Sequence, residues 1–113
     1  MKLVFKETPI FTKLITDLLS DDEYKELQLH LVEKPDSGDL IQGTCGLRKV
    51  RWAKKSTGKS GGIRVIYYWI TEDSQIYMLL AYPKGVQETL TAKQKSTLRK
   101  LVQKELQESS DGK

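Results

Sequence analysis

Lysine and arginine are concentrated in the stretch from Gly46 to Trp69, which contains no acidic residue. Its seven cations are Arg48, Lys49, Arg51, Lys54, Lys55, Lys59 and Arg64. A guanidinium group is planar, stays charged and matches the geometry of a phosphate group. Cations held in position also stabilise the negative charge that develops on phosphate oxygens during a reaction. The stretch therefore indicates recognition of a phosphate group, or chemistry at one.

Two predicted strands would bring three of these cations to one face of a sheet. In "GLRKVRW", Lys49 and Arg51 leave one face and Val50 and Trp52 leave the other, because side chains alternate along a strand. The segment "IRVIYYWI" is rich in β-branched and aromatic residues and predicts the next strand. If the two strands pair antiparallel, Arg64 lies across from Lys49 and Arg51.

Further cations are expected to enlarge this group. Lys84 follows the last predicted strand, "IYMLLAY", and would lie beside Arg64. The cations expected to attract a polyanion at longer range are Arg48, Lys54, Lys55 and Lys59. Charged side chains on an exposed strand are also common as a solvated edge that resists aggregation. Like charges opposite each other in a sheet repel, so the convergence of Lys49, Arg51 and Arg64 favours a phosphate-binding surface.

The sequence predicts neither a metal site nor a cofactor. His30 is the single histidine, and no cysteine lies at zinc-ligand spacing from it. The "TGKS" segment is similar to the end of a phosphate-binding loop. However, Ala53 occupies the position where that pattern requires glycine, and a strand follows instead of a helix.

Length and composition predict one domain that stays in the cytoplasm. The 113 residues are enough for a single core, and we assign the domain to residues 1–108 and a frayed tail to residues 109–113. The net charge is only +4. The positions of the charged residues along the chain are therefore more informative than the net charge. There is no signal-peptide pattern and no apolar run near the roughly 18 residues of a membrane span. We therefore expect no membrane partner.

The elements that must position the cations follow from hydrophobic spacing and capping patterns. A first strand, "KLVFKE", is followed by a helix that starts at Pro9. Ser20 with Glu23 predicts a capping box at the start of a second helix, and Thr91 with Gln94 predicts another at the third. The order of elements predicts an α+β fold. We expect an antiparallel sheet of about four strands, two N-terminal helices packed on one face, and a C-terminal helix.

Four segments of the chain resemble one protein family. The segments "GLRKVRWA", "GGIRVIYYW", "IYMLLAYPKG" and "LTAKQ" are similar, in this order, to the RelE/HigB-type toxins of bacterial toxin–antitoxin pairs, within the RelE/ParE superfamily. The similarity extends over about residues 1–106. It implies a RelE-like β-α-α-β-β-β-α fold and ribosome-dependent cleavage of messenger RNA in the ribosomal A site. The implied partners are a cognate antitoxin, the ribosome and messenger RNA.

The resemblance also implies roles for individual residues. Lys49 and Arg51 match paired basic residues on a strand of RelE-like enzymes. Arg64 matches the arginine that contacts the scissile phosphate, and Lys84 matches a basic residue after the last strand.

The sequence departs from the RelE pattern at two positions. Gly85 stands where an arginine is expected and Leu90 where a tyrosine is expected. The general acid and base are therefore open, and Tyr82 and Tyr68 are the possible substitutes. Lys49 is a candidate base, because neighbouring cations favour the neutral form of an amine. The predicted catalytic residues are Lys49, Arg51, Arg64, Lys84 and Tyr82.

Two other functions remain open from the sequence. A ParE-type toxin with this fold would inhibit DNA gyrase without nuclease activity, and an inactive relative would only bind RNA. Tyr67, Tyr77 and Trp69 are spaced like core residues and not like a platform on which bases stack. The nuclease interpretation is favoured because gyrase inhibition requires no cluster of cations on a sheet.

Overall fold

The computed structural model describes residues 3–53, 62–70, 74–87 and 89–111. The elements in chain order are β1 (Val4–Glu7), α1 (Pro9–Leu18), α2 (Asp21–Glu33), β2 (Asp39–Leu40), β3 (Leu47–Trp52), β4 (Ile63–Ile70), β5 (Gln75–Pro83) and α3 (Ala92–Asp111). This confirms the predicted α+β class, with one strand more than predicted. Within the described ranges, no helix is both long enough and apolar enough to cross a membrane.

The five strands form one sheet in the order β1-β5-β4-β3-β2. Strands β3, β4 and β5 pair antiparallel, as predicted, and β1 joins β5 in parallel at one edge. The additional strand, β2, has two residues and pairs antiparallel with β3. It is too short for side-chain alternation to predict it.

All three helices begin where Pro9 and the two predicted capping boxes indicated. Pro9 is the first residue of α1, and Ser20 and Glu23 exchange the hydrogen bonds of a capping box at α2. At α3, the Gln94 N–H donates to the Thr91 hydroxyl at 3.1 Å, and the Thr91 N–H donates to the Gln94 side chain at 2.9 Å. Helix α3 continues to Asp111, three residues into the segment predicted to be frayed.

The sheet lies between two separate cores. Helices α1 and α2 pack on one face through a core that includes Phe11, Ile15, Leu27, Leu31, Val50, Val65, Tyr67 and Met78. Helix α3 packs on the opposite face, through a second core of Leu47, Ile66, Leu79, Tyr82, Leu90, Leu98 and Val102. Neighbours in β4 such as Val65 and Ile66 belong to different cores because successive side chains leave opposite faces.

Candidate phosphate-binding site

Strand register brings the predicted cations together on the face that α3 partly covers. Arg51 of β3 pairs with Arg64 of β4, and Arg64 pairs with Tyr82 of β5, so the three residues form a row across the sheet. Lys49 lies one step along, opposite Ile66. Because Ile66 belongs to the second core, this row shares its face with α3. The antiparallel pairing predicted for Arg64 is therefore confirmed.

Lys84 completes the group from the end of β5. Its backbone N–H donates to the Gly62 carbonyl at 2.9 Å, which extends the β4–β5 pairing by one step. A Cβ atom added at Gly62 would lie 3.6 Å from Arg64 Nη1 and 3.9 Å from Lys84 Cβ. The side chains of Arg64 and Lys84 therefore both lie beside Gly62, which has no side chain of its own. We call Lys49, Arg51, Arg64 and Lys84 the cation face.

An irregularity in β5 determines that Tyr82 and Lys84 lie on this side. On the N-terminal side of the irregularity, Tyr77 and Leu79 face the second core. On its C-terminal side, Leu80 and Tyr82 face that same core. The pairing shifts between Ile66, opposite Leu80, and Tyr67, opposite Met78, so that Leu79 is an extra residue. A bulge of this kind redirects the side chains that follow it. Strict alternation from Tyr77 would have turned Tyr82 and Lys84 towards α1 and α2.

Tyr82 contributes a buried hydroxyl beside the cations. Its side chain is 5% exposed, and the hydroxyl has no hydrogen-bond partner within the described part of the chain. Burial raises the pKa of Tyr82, and the charge of Arg64 partly offsets this rise. The hydroxyl is consequently neutral near pH 7. The hydroxyl belongs to the register partner of Arg64.

An acidic residue lies closer to the cations than the sequence indicated. Asp39 of β2 is the register partner of Lys49, although ten positions separate them in the chain. Only the two-residue strand β2 brings them together. Asp39 therefore belongs to the same site.

Several predicted residues lie elsewhere. Arg48 leaves the opposite face of β3, where its Nη1 donates to the carbonyls of Gly38 at 2.8 Å and Asp36 at 3.2 Å. It anchors a loop and is not brought to the cation face. The predicted RNA-binding residues Lys54, Lys55 and Lys59 lie outside the described residues, as does the whole "TGKS" segment.

Tyr68 and Leu90 have packing positions. Tyr68 lies against the turn before β3, where a Cβ on Gly46 would be 2.7 Å from its Cε1 atom. Gly46 has a φ of +122°, a conformation that glycine adopts readily. Leu90, which replaces the tyrosine expected from the family pattern, is 5% exposed and belongs to the second core. Of the two tyrosines proposed as substitutes, only Tyr82 is paired with Arg64.

Sequence reasoning missed a pocket of about 330 Å³ beside the cation face. It is lined by Asp39, Leu40, Ile41, Gln42, Lys49, Arg51, Thr89, Leu90 and Lys95. Lys95, in the first turn of α3, adds a cation to the site. The alternation of strands could not indicate it, because α3 reaches this region only through tertiary packing.

Comparison with known structures identifies the fold. None of the protein-family models compared with the chain matched it. The isolated RelE toxin from E. coli is 13% identical, with a TM-score of 0.54 over 88% of this chain and 99% of that one. A mutant of the same toxin in complex with a peptide of the antitoxin RelB has 16% identity and a TM-score of 0.54, over 86% and 93% of the two chains.

An archaeal relative has the same architecture. The RelE–RelB complex from Pyrococcus horikoshii contains a chain that is 23% identical, with a TM-score of 0.51 over 77% of this chain and 100% of that one. The chain therefore has the fold of RelE toxins, as the resemblance predicted. The HigB-like part of that resemblance stays a prediction.

Proposed function

We propose that this protein is the toxin of a toxin–antitoxin pair and an endoribonuclease that cleaves messenger RNA in the ribosomal A site. The observation that carries the proposal is the cation face, with the Tyr82 hydroxyl beside it, on a RelE fold. Arg51 and Arg64 repel each other across two paired strands. A bound phosphate would relieve that repulsion. Phosphate binding therefore explains why the two arginines lie opposite each other, and a solvated edge does not.

The proposed reaction uses the nucleophile that RNA itself carries. The 2′-hydroxyl oxygen attacks the adjacent phosphorus, a new O–P bond forms, and the bond to the 5′-oxygen of the next nucleotide breaks. A 2′,3′-cyclic phosphate and a 5′-hydroxyl result. The reaction needs charge stabilisation, a proton acceptor and a proton donor, and the site offers a candidate for each.

Each residue of the site has a proposed role. Arg64 and Arg51 bind the phosphate oxygens and stabilise the charge that they gain in the transition state. Tyr82, neutral and within the field of Arg64, donates a proton to the leaving 5′-oxygen. Lys49 accepts the proton of the 2′-hydroxyl, and Lys84 binds the RNA backbone.

An antitoxin is the proposed regulatory partner. The solved relatives include RelE bound to a peptide of RelB and a RelE–RelB complex. An antitoxin of this chain could cover the cation face with acidic side chains, pair with an exposed strand edge, or bind to α3.

Mapping of cuts in a reporter messenger after induction tests the proposal. We expect the parent to produce cuts confined to translated sequence. Arg64→Ala should reduce their number by about 10²–10³-fold, since an electrostatic contact to the reacting group is lost. Lys25→Ala, an exposed lysine on α2 at the other side of the sheet, is the matched control and should cut like the parent. Growth arrest with intact messenger would contradict the proposal and favour gyrase inhibition.

A further inference from the structure

Two side chains of the sheet fasten the loop of residues 34–38, which joins α2 to β2. Arg48 of β3 and Tyr67 of β4 are register partners. Tyr67 belongs to the core on which α1 and α2 pack, and Arg48 leaves the same face of β3 as Val50 of that core. Both side chains therefore lie on the side of the sheet opposite the cation face.

These two side chains bind the backbone of the loop. The Tyr67 hydroxyl donates to the Pro35 carbonyl at 2.7 Å and accepts from the Gly38 N–H at 3.0 Å. Arg48 Nη1 donates to the carbonyls of Gly38 at 2.8 Å and Asp36 at 3.2 Å. We call Arg48 and Tyr67 the loop clamp. Because its partners are backbone atoms, the loop clamp fixes the path of the chain itself.

Gly38 connects the loop clamp to Lys49. A Cβ atom on Gly38 would lie 2.9 Å from Tyr67 Cε1 and 3.0 Å from the carbonyl carbon and oxygen of Lys49. Gly38 is therefore packed between the ring of the loop clamp and the backbone of the proposed base. A residue without a side chain is required for such a close approach.

Strand β2 begins at the next residue. Asp39 pairs with Lys49, and Leu40 pairs with Arg48. A pairing of two residues contains few hydrogen bonds, so a strand this short needs further contacts to stay in place. The loop clamp supplies them on the N-terminal side of β2. The position of Asp39 beside Lys49 consequently depends on Arg48 and Tyr67.

We infer that Arg48 and Tyr67 are positioning residues for the reaction, which act on Lys49 through the loop and β2 from the opposite face of the sheet. This inference rests on the proposed function, in which Lys49 accepts the proton of the 2′-hydroxyl. A displacement of about 1 Å caused far from the reacting atoms can cost about 10²-fold in rate. The loop clamp therefore contributes to the chemical step and not to the binding of RNA.

Tyr67→Phe tests the inference, because phenylalanine keeps the buried ring and removes both contacts of the hydroxyl. Cleavage on programmed ribosomes would give the maximal rate per folded molecule and the ribosome concentration at half-saturation. The maximal rate should fall by about 10-fold to 10²-fold, while the concentration at half-saturation stays unchanged.

Arg48→Met tests the other half of the loop clamp without a change in the core, since Arg48 is only half-buried. Methionine keeps an unbranched stem and removes the guanidinium group. We expect the same pattern as in Tyr67→Phe. A higher concentration at half-saturation with an unchanged maximal rate would show that Arg48 binds RNA, which would contradict the inference.

A pair of double variants separates positioning from a loss of stability. In Lys49→Arg the proposed base is already absent, so the addition of Tyr67→Phe or Arg48→Met should slow cleavage by less than about twofold. The matched control is Tyr24→Phe, which loses a tyrosine hydrogen bond elsewhere on this side of the sheet. It should keep the maximal rate of the parent.

The outcomes distinguish this inference from the proposed function. If the parent cuts messengers and both Tyr67→Phe and Arg48→Met keep its maximal rate, the inference is wrong and the proposed function stands. An equal fall in the parent and in Lys49→Arg would reveal a structural effect alone and would also overturn the inference. If the parent cuts no messenger, both are wrong.

Discussion

At the scale of single residues, Tyr82 has a buried polar atom whose environment packing does not explain. A buried hydroxyl normally has a hydrogen-bond partner, because leaving it unpaired costs free energy. The Tyr82 hydroxyl has none among the described residues. A phenylalanine would fill the same space without that cost. The cost is explained if the hydroxyl serves the substrate.

Replacing Tyr82 by phenylalanine should separate activity from stability. We expect cleavage to fall by about 10²-fold or more with the loss of a general acid. The free energy of unfolding should stay within about 1 kcal/mol of the parent, because no hydrogen bond is lost. Urea unfolding and single-turnover cleavage measure the two effects. Tyr68→Phe is the control and should cleave like the parent; the opposite result for the two variants would reassign the acid.

The same residue predicts a pH dependence. Tyr82 acts as an acid only while protonated, and burial moves its pKa upwards from the ordinary tyrosine value of about 10. Loss of the proton is therefore delayed to higher pH. The rate of cleavage should show no decline from this group between about pH 7 and pH 9. A decline in that range that is absent in Tyr82→Phe would contradict the assignment.

Lys49 is tested by a substitution that keeps its charge. Arginine stays protonated at every accessible pH, so Lys49→Arg preserves phosphate binding and removes the ability to accept a proton. We expect the cleavage rate to fall by about 10²-fold, with binding to programmed ribosomes retained. If Lys49→Arg cleaves as fast as the parent, Lys49 binds phosphate only and the base is another group.

The residue types and spacing predicted that the cations of β3 and β4 share one face of the sheet. Alternation in β3 and β4 gave the shared face of Lys49, Arg51 and Arg64, because it depends only on the chain's local geometry. Asp39 and Lys95 could not be predicted, since each reaches the site through tertiary pairing or packing of a separate element.

At the scale of elements, the bulge at Leu79 decides what the site contains. The sequence predicted a strand here and gave no sign of a bulge, and strict alternation would have placed Tyr82 on the face of α1 and α2. The extra residue is visible only in the pairing with β4. Propensity and alternation do not predict it, because a bulge needs a partner strand to define it.

The N-terminal elements are held together by a tyrosine–carboxylate contact. The Tyr24 hydroxyl of α2 donates to a carboxylate oxygen of Glu7 at the end of β1, and the Tyr24 ring packs against Phe11 with centroids 6.0 Å apart. Burial, and then the hydrogen bond and charge of Glu7, raise the pKa of Tyr24 far above its ordinary value. This contact fastens α2 to the parallel edge of the sheet.

Tyr24→Phe should lower stability in a pH-dependent way. The variant keeps the ring contact and loses one hydrogen bond to a charged group, which costs about 1–2 kcal/mol of unfolding free energy near pH 7. Above about pH 10 the unfolded tyrosine loses its proton and the folded one retains it, so the parent's stability falls as pH rises. Urea unfolding at pH 8 and pH 10.5 should therefore show the gap between parent and variant narrowing. A gap that widens with pH would contradict the assigned direction of the pKa shift.

At the scale of the whole molecule, the two faces of the sheet have different surroundings. One face packs against α1 and α2 through the first core. On the other, α3 and the second core cover part of the surface, and Lys49, Arg51, Arg64 and Lys84 occupy the part beside them. The sequence predicted every element except β2, and it predicted the order of the three long strands. It did not place α3 on the opposite face, because its apolar stripe fits either side of a sheet.

Cleavage of a defined messenger by the purified protein tests the central claim most directly. The messenger would be compared as free RNA and in a ribosome complex with an empty A site. We predict a cut within the A-site codon only when the ribosome is present. The rate of cleavage should fall by about 10²–10³-fold in Arg64→Ala and stay unchanged in Lys25→Ala. Equal cutting of free RNA would contradict ribosome dependence. Absence of any cut, with inhibition of gyrase supercoiling instead, would contradict the nuclease assignment.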